Sequence, residues 1–139
     1  QQARVLHNWV STKKMALSGT ENDFVVVGTF NFGFPGEKVN DKARENPAYT
    51  SLSGNGLLTF PLKAVWEKDP AAFTYAGDWV DNDRLMDGFA LSKPAVRHYV
   101  AGSAQILRVD KKFADLDEYR SEISSHLPVI ARFKTNFED

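Results

Sequence analysis

Odd–even alternation of hydrophobic residues, sustained through most of the chain after position 23, limits what this polypeptide can fold into more than any other feature. Phe24, Val26, Phe30, Phe32 and Phe34 share one parity, and Val25, Val27, Thr29 and Asn31 the other. Neighbouring side chains of a strand point to opposite faces, so the run predicts a long strand, buried on one face and half-buried on the second. Gly28 and Gly33 inside it suggest a bulge or a close backbone approach, and Phe34-Pro35-Gly36 ends it. After the turn signal Ser53-Gly54-Asn55-Gly56, Leu58, Phe60, Leu62, Ala64 and Trp66 alternate with Thr59, Pro61, Lys63 and Val65. Pro61 cannot donate to a ladder, which predicts an edge strand. Phe73, Tyr75 and Trp79 alternate again, and Asp81-Asn82-Asp83 closes an expected hairpin into Leu85, Phe89 and Leu91. A further strand is expected from about Val96 to Val109, bent at Ala101-Gly102-Ser103-Ala104, and a last one over Val129–Phe133.

The period changes near Asp115. A capping residue there has an acid three positions on, and Leu116, Tyr119, Ile123 and Leu127 form a helical stripe that Pro128 stops. His126 falls at the end of this expected helix (about 115–126), where an imidazolium gains from the helix dipole. Val5, Leu6, Trp9, Val10, Ala16 and Leu17 fit an amphipathic helix or an irregular leading strand equally. Residues 37–53 show almost no periodicity and read as a long loop or arm. Short strand-to-strand links imply antiparallel pairing. The expected fold is therefore α+β and β-rich: one antiparallel twisted sheet or small barrel of 5–7 strands, with one helix in the C-terminal region and a possible N-terminal helix. Residues 1–139 read as a single domain.

Composition removes several functions. Seventeen Lys and Arg against eighteen Asp and Glu leave a formal charge of −1, which argues against bulk electrostatic gripping of nucleic acid. Cysteine is absent, so zinc-thiolate sites, iron–sulfur clusters, thiol nucleophiles and disulfides are excluded together. No apolar run approaches the ~20 residues of a membrane span. No dinucleotide fingerprint, phosphate loop or Gly-x-Ser-x-Gly elbow occurs, and no cofactor is expected. The chain opens on Gln1 rather than Met with no leader-like segment behind it, which reads as a trimmed natural chain.

The candidate residues divide by chemistry. His98, on an expected strand, is the best general acid/base if its face lines a concave interior, with Asp78 or Tyr75 to orient it. Asp78, Asp81 and Asp83 supply oxygen ligands of the kind calcium takes, without the glycine and glutamate of an EF-hand, and Asp and Asn are equally the residues of a plain turn. Arg97, Arg108, Lys111, Lys112, Arg132 and Lys134 concentrate basic charge near Tyr99 and Phe133, an arrangement that single strands stack upon, although Asp110, Asp115, Asp117, Glu118 and Glu122 lie among them. Ten Phe, three Trp and four Tyr exceed what a small core requires, and Trp9, Tyr49 and Tyr99 are the expected contacts to a partner or ligand.

The leading functional expectation is a non-catalytic binding or assembly module. It uses sheet edges, the 37–53 arm and the leading residues to contact a protein partner or another copy of itself. Behind it stand a small cofactor-free enzyme (lyase, isomerase or cyclase) with an aromatic-lined cavity, then a carrier for an apolar ligand. Single-stranded nucleic-acid binding and calcium binding rank last.

Overall fold

The computed structural model describes residues 2–16, 23–31, 33–34, 38–39, 42–43, 46–76 and 85–135. In chain order the elements are α1 (Gln2–Ala16), β1 (Val25–Thr29), β2 (Lys38–Val39), β3 (Lys42–Ala43), α2 (Pro47–Ser53), β4 (Leu58–Thr59), α3 (Leu62–Lys68), β5 (Asp87–Ser92), α4 (Ala95–His98), β6 (Gln105–Ile106), α5 (Leu116–Glu122) and β7 (Val129–Ile130). Single 3-10 turns cover Gly54–Gly56 and Val109–Lys112. The fold is α+β, as expected, but helix outweighs strand and no closed barrel forms among the described residues. Three small antiparallel sheets replace the single large one: β1-β5-β4, β2-β3 and β6-β7.

The strand β5 holds the centre. Its Gly88–Ser92 run is buried throughout, because β1 covers one edge, β4 the other, and side chains pack on both faces. Parity separates the two faces. Gly88 stands on the face that α3 covers, where an added Cβ would meet Leu62 Cδ1 at 3.0 Å. Asp87 points to the opposite face, and there it meets Thr29 of β1 and His126 of the C-terminal half. On the helical side the aromatic rings interlock: Phe34 lies 5.4 Å from Tyr49 and 6.0 Å from Trp66, and Phe60 lies 5.3 Å from both Phe30 and Tyr49. Edge-to-face and tilted pairs at these separations add to the area that the rings bury.

Several expected strands are helices, and proline explains most of the difference. The alternation at Leu58–Trp66 survives only as β4. Pro61, whose missing N–H and fixed φ suit a helix start, opens α3, and its inward residues Leu62, Val65 and Trp66 also fit the i, i+3, i+4 spacing. Pro94 likewise opens α4, so the expected strand from Val96 begins as a helical turn and regains extended pairing only at β6. The bend expected at 101–104 is present, with Gly102 at φ +74°. The long first strand stops at Thr29, because Asn31 takes a left-handed conformation with φ 54°. Its register with β5 is unbroken through Gly28, so no bulge forms there.

The expected 37–53 loop contains the β2-β3 hairpin and α2. Asn46 caps α2: its Oδ1 accepts from Tyr49 N at 3.3 Å, its Nδ2 donates to Gly33 O at 2.6 Å, and Pro47 takes the first helical position. The leading segment is a helix, with Ala3, Leu6 and Val10 turned inward and Val5 and Trp9 outward. His7 Nδ1 lies 2.7 Å from Ser51 O, joining α1 to α2. At the C-terminal end, Asp115 caps α5 by accepting from Glu118 N at 2.8 Å, as its sequence signature predicts. The helix ends at Glu122, earlier than expected, and His126 stands beyond it in a bridge to Tyr75 rather than capping it. The turn of the hairpin expected through Trp79 and Asp81-Asn82-Asp83 lies outside the described residues.

Candidate functional site

Two features concentrate chemistry: the outer edge of β1, and a His–Asp cluster on the opposite face of β5.

The edge follows from register. Ser92 N donates to Phe24 O at 3.0 Å, and Phe30 N donates to Met86 O at 2.7 Å. In an antiparallel pair, hydrogen-bonded and non-hydrogen-bonded positions alternate, so Phe24, Val26, Gly28 and Phe30 turn their backbone groups toward β5. Val25, Val27 and Thr29 turn theirs away, toward a side with no strand among the described residues. Side chains reinforce the exposure: Val25 is 42% and Val27 70% accessible, although their cross-strand neighbours Leu91 and Phe89 are buried. No residue from Phe24 to Asn31 carries charge. Trp9 of α1 sits 6.4 Å from Phe24, edge to face, so the outward stripe of Val5 and Trp9 adjoins the start of this strand.

The cluster joins four segments. His126 Nδ1 lies 2.7 Å from Asp87 Oδ2, and Thr29 Oγ1 donates to Asp87 Oδ1. Thr74 Oγ1 accepts from Asp87 N at 2.8 Å, and its carbonyl accepts from Leu127 N at 2.7 Å. Tyr75 stacks against His126 with ring centres 5.0 Å apart. Tyr119, almost completely buried, donates its hydroxyl to His126 O at 2.8 Å, and burial pushes its phenol above the ordinary tyrosine value. Beside Tyr75 opens a surface groove of about 400 Å³, lined also by Asp117, Arg120, Ser121 and Ser125.

The candidate residues read from sequence are dispersed. His98 ends α4, with Nε2 3.2 Å from Asp23 Oδ2, and is not part of the His126–Asp87 cluster. Tyr75 does belong to that cluster. Asp78, Asp81 and Asp83 lie outside the described residues, and no group of three His, Asp or Glu suited to a metal occurs among those that are described. Tyr49 is packed into the aromatic interior. Tyr99 accepts from Ala104 N at 3.0 Å and bridges Phe133. Of the three expected aromatic contacts, Trp9 is therefore the one that stands outward. The basic residues fall into two groups. Arg97, Arg132 and Lys134 belong to the two stretches paired through the Tyr99–Phe133 bridge, and Arg108, Lys111 and Lys112 lie at the 3-10 turn. Arg108 is engaged at home: Nε and Nη2 donate to the Asp110 carboxylate at 2.9 and 2.7 Å, and its guanidinium lies 4.7 Å over Phe73. That bidentate bond holds the buried Asp110 carboxyl below the ordinary aspartate value.

The aromatic interior between Phe30, Phe34, Phe60, Leu62 and Phe89 contains a void of only about 10 Å³, the room of a single water at most. His126 and Asp87 escaped the sequence reading because they stand 39 positions apart and nothing local marks them as partners. The chain matches no family model, no curated protein and no solved structure.

Proposed function

We propose that this protein is a non-catalytic assembly module that joins a second copy of itself through the outer edge of β1. The observation that carries this reading is the uncharged edge strand, with the backbone groups of Val25, Val27 and Thr29 turned outward and Val27 70% exposed. Such an edge is a template for strand addition unless it is blunted by charge, proline or a bulge, and Val25–Thr29 has none of these.

The register selects the partner. Antiparallel pairing about a twofold axis at Val27 sets Val27 opposite Val27 and Val25 opposite Thr29, so outward-facing backbone units meet only outward-facing ones. The same register places Asp23 opposite Asn31, and no like charges face each other. The product is a continuous six-stranded sheet in the order β4-β5-β1-β1-β5-β4. The Val5–Trp9 stripe next to Phe24 supplies further apolar surface at the rim.

Sedimentation equilibrium across a concentration series tests the reading, with a dimer expected for the parent chain and a monomer for Val27→Lys. Because the chain has no cysteine, Val27→Cys is a clean probe of register. Directly opposed positions in this class lie ~5.5 Å apart at Cα, within disulfide reach, so this variant should oxidise to a covalent dimer while Thr29→Cys should not. A monomer at several hundred micromolar, together with no Val27→Cys crosslink, overturns the proposal.

A further inference from the structure

We infer that the outward face of α1 is a peripheral docking surface for an anionic lipid bilayer, with Val5 and Trp9 at the headgroup boundary and Arg4 and Lys13 against the lipid phosphates. Val5, Trp9 and Lys13 follow one another at i, i+4 spacing, and Arg4 stands beside Val5. All four are exposed, Val5 by 64% and Trp9 by 51%. An indole, with an apolar body and one polar N–H, suits the boundary between headgroups and acyl chains.

Packing holds this stripe outward. Ala3, Leu6 and Val10 on the other side of α1 lie against the core, and His7 Nδ1 lies 2.7 Å from Ser51 O of α2, so the roll of the helix is fixed. At 15 residues α1 is too short to cross a bilayer, and no described helix is long and apolar enough to do so. The contact therefore runs along the helix, in the plane of the interface.

Charge selects the occupant. The whole chain has a formal charge of −1, yet residues 1–20 hold Arg4, Lys13 and Lys14 and no Asp or Glu. The stretch 46–66, which carries α2 and the start of α3, also contains no acid. Neither Arg4 nor Lys13 has an acidic partner among the described residues, and Lys13 Nζ lies 5.9 Å from the centre of the Trp9 ring. Asp23, next to the Phe24 that Trp9 packs against, is engaged by His98 Nε2 at 3.2 Å. Cations without internal partners beside an exposed tryptophan complement a surface that is negative outside and apolar beneath, which is what anionic lipid presents. An acidic polypeptide offers the charge without that apolar layer. The face is complete in one copy and, as rim surface, stays accessible when β1 pairs, so the two readings stand or fall separately.

The test is co-sedimentation of the full chain with phosphatidylcholine–phosphatidylglycerol vesicles and, separately, with pure phosphatidylcholine vesicles. Saturable binding to the anionic vesicles alone, weakened by added salt, is expected. Arg4→Gln combined with Lys13→Gln should weaken it about thirtyfold, the product of two lost headgroup contacts, and Trp9→Ala about tenfold. Because the chain has no cysteine, a second readout is independent of those variants. A polarity-sensitive dye on Val5→Cys should enter an apolar environment on binding, while the same dye on Ile123→Cys, 63% exposed just past α5, should stay in water. Three results overturn the inference: no binding to anionic vesicles, binding in which the dye at position 5 stays aqueous, or binding to poly-glutamate in place of vesicles. The last would assign the face to an acidic polypeptide.

Discussion

His126 and Asp87, 39 positions apart in the chain, meet with Nδ1 2.7 Å from Oδ2 and tie the C-terminal segment to the central strand. The same carboxylate accepts from Thr29 of β1, so one side chain links the edge strand, the central strand and the segment after α5. Asp87→Asn should lower the unfolding free energy by about 1 kcal/mol, the scale of a partly solvated charge-assisted bond. Combined with His126→Gln in a double-mutant cycle, it should show clear coupling in urea unfolding. Strict additivity of the two substitutions would refute the link.

The Arg108–Asp110 pair gives stability a sign-defined dependence on pH. The bidentate hydrogen bond from Arg108 depresses the folded-state carboxyl, while the unfolded one titrates near its ordinary value of ~3.9. The stabilisation is therefore complete above that range and is lost as pH falls through the lower folded-state value. Arg108→Gln should cost about 2 kcal/mol at neutral pH and flatten the acid limb of the stability curve. Thermal melts between pH 2 and 7 check both, and an unchanged acid limb would remove Asp110 from the account.

Asn46 holds two structural jobs in one side chain, capping α2 and fixing the backbone at Gly33. Asn46→Ala should destabilise by about 2 kcal/mol, while Asn46→Asp retains the cap but cannot donate to Gly33 O and should lose about half of that. Chemical denaturation of the pair separates the two roles. Equal losses for both variants would mean that the cap contributes nothing.

Val27 presents the reverse case. Its side chain is mostly solvated, so Val27→Lys should leave the melting of dilute monomer within about 0.5 kcal/mol of the parent while abolishing association at high concentration. A large loss of monomer stability would show that the residue is structural and not an interface.

Gly88 tests the layering of the fold. Its Cβ position is 3.0 Å from Leu62 Cδ1, and Leu62 is buried. Gly88→Ala should therefore destabilise by about 1 kcal/mol through overpacking, measurable in urea. A neutral or stabilising result would mean that α3 sits less tightly on β5 than the distance indicates.

Local chemistry made parts of this molecule readable from the chain alone. Asp115 with Glu118 marked the start of α5, Ser53–Gly56 and Ala101–Gly102 marked turns, and the alternation at Val25–Thr29 and Phe89–Leu91 marked two strands that do pair. Each signal acts over a few residues and needs no distant partner. The alternation at Leu58–Trp66 and after Val96 misled because residues four apart, such as Leu62 and Trp66, satisfy helical spacing as well as strand spacing. A proline at the first turn, together with packing against Gly88, settled the choice. Composition excluded thiol chemistry and bulk charge, and nothing in the order of residues revealed that His126 would meet Asp87. That was decided in three dimensions, because bringing Tyr75, Asp87 and His126 together requires chain closures whose entropic cost only the completed core offsets. Whether β1 would be central or peripheral was likewise open until β5 took its partners, since a strand's own residues specify which face is buried but not how many neighbours it has.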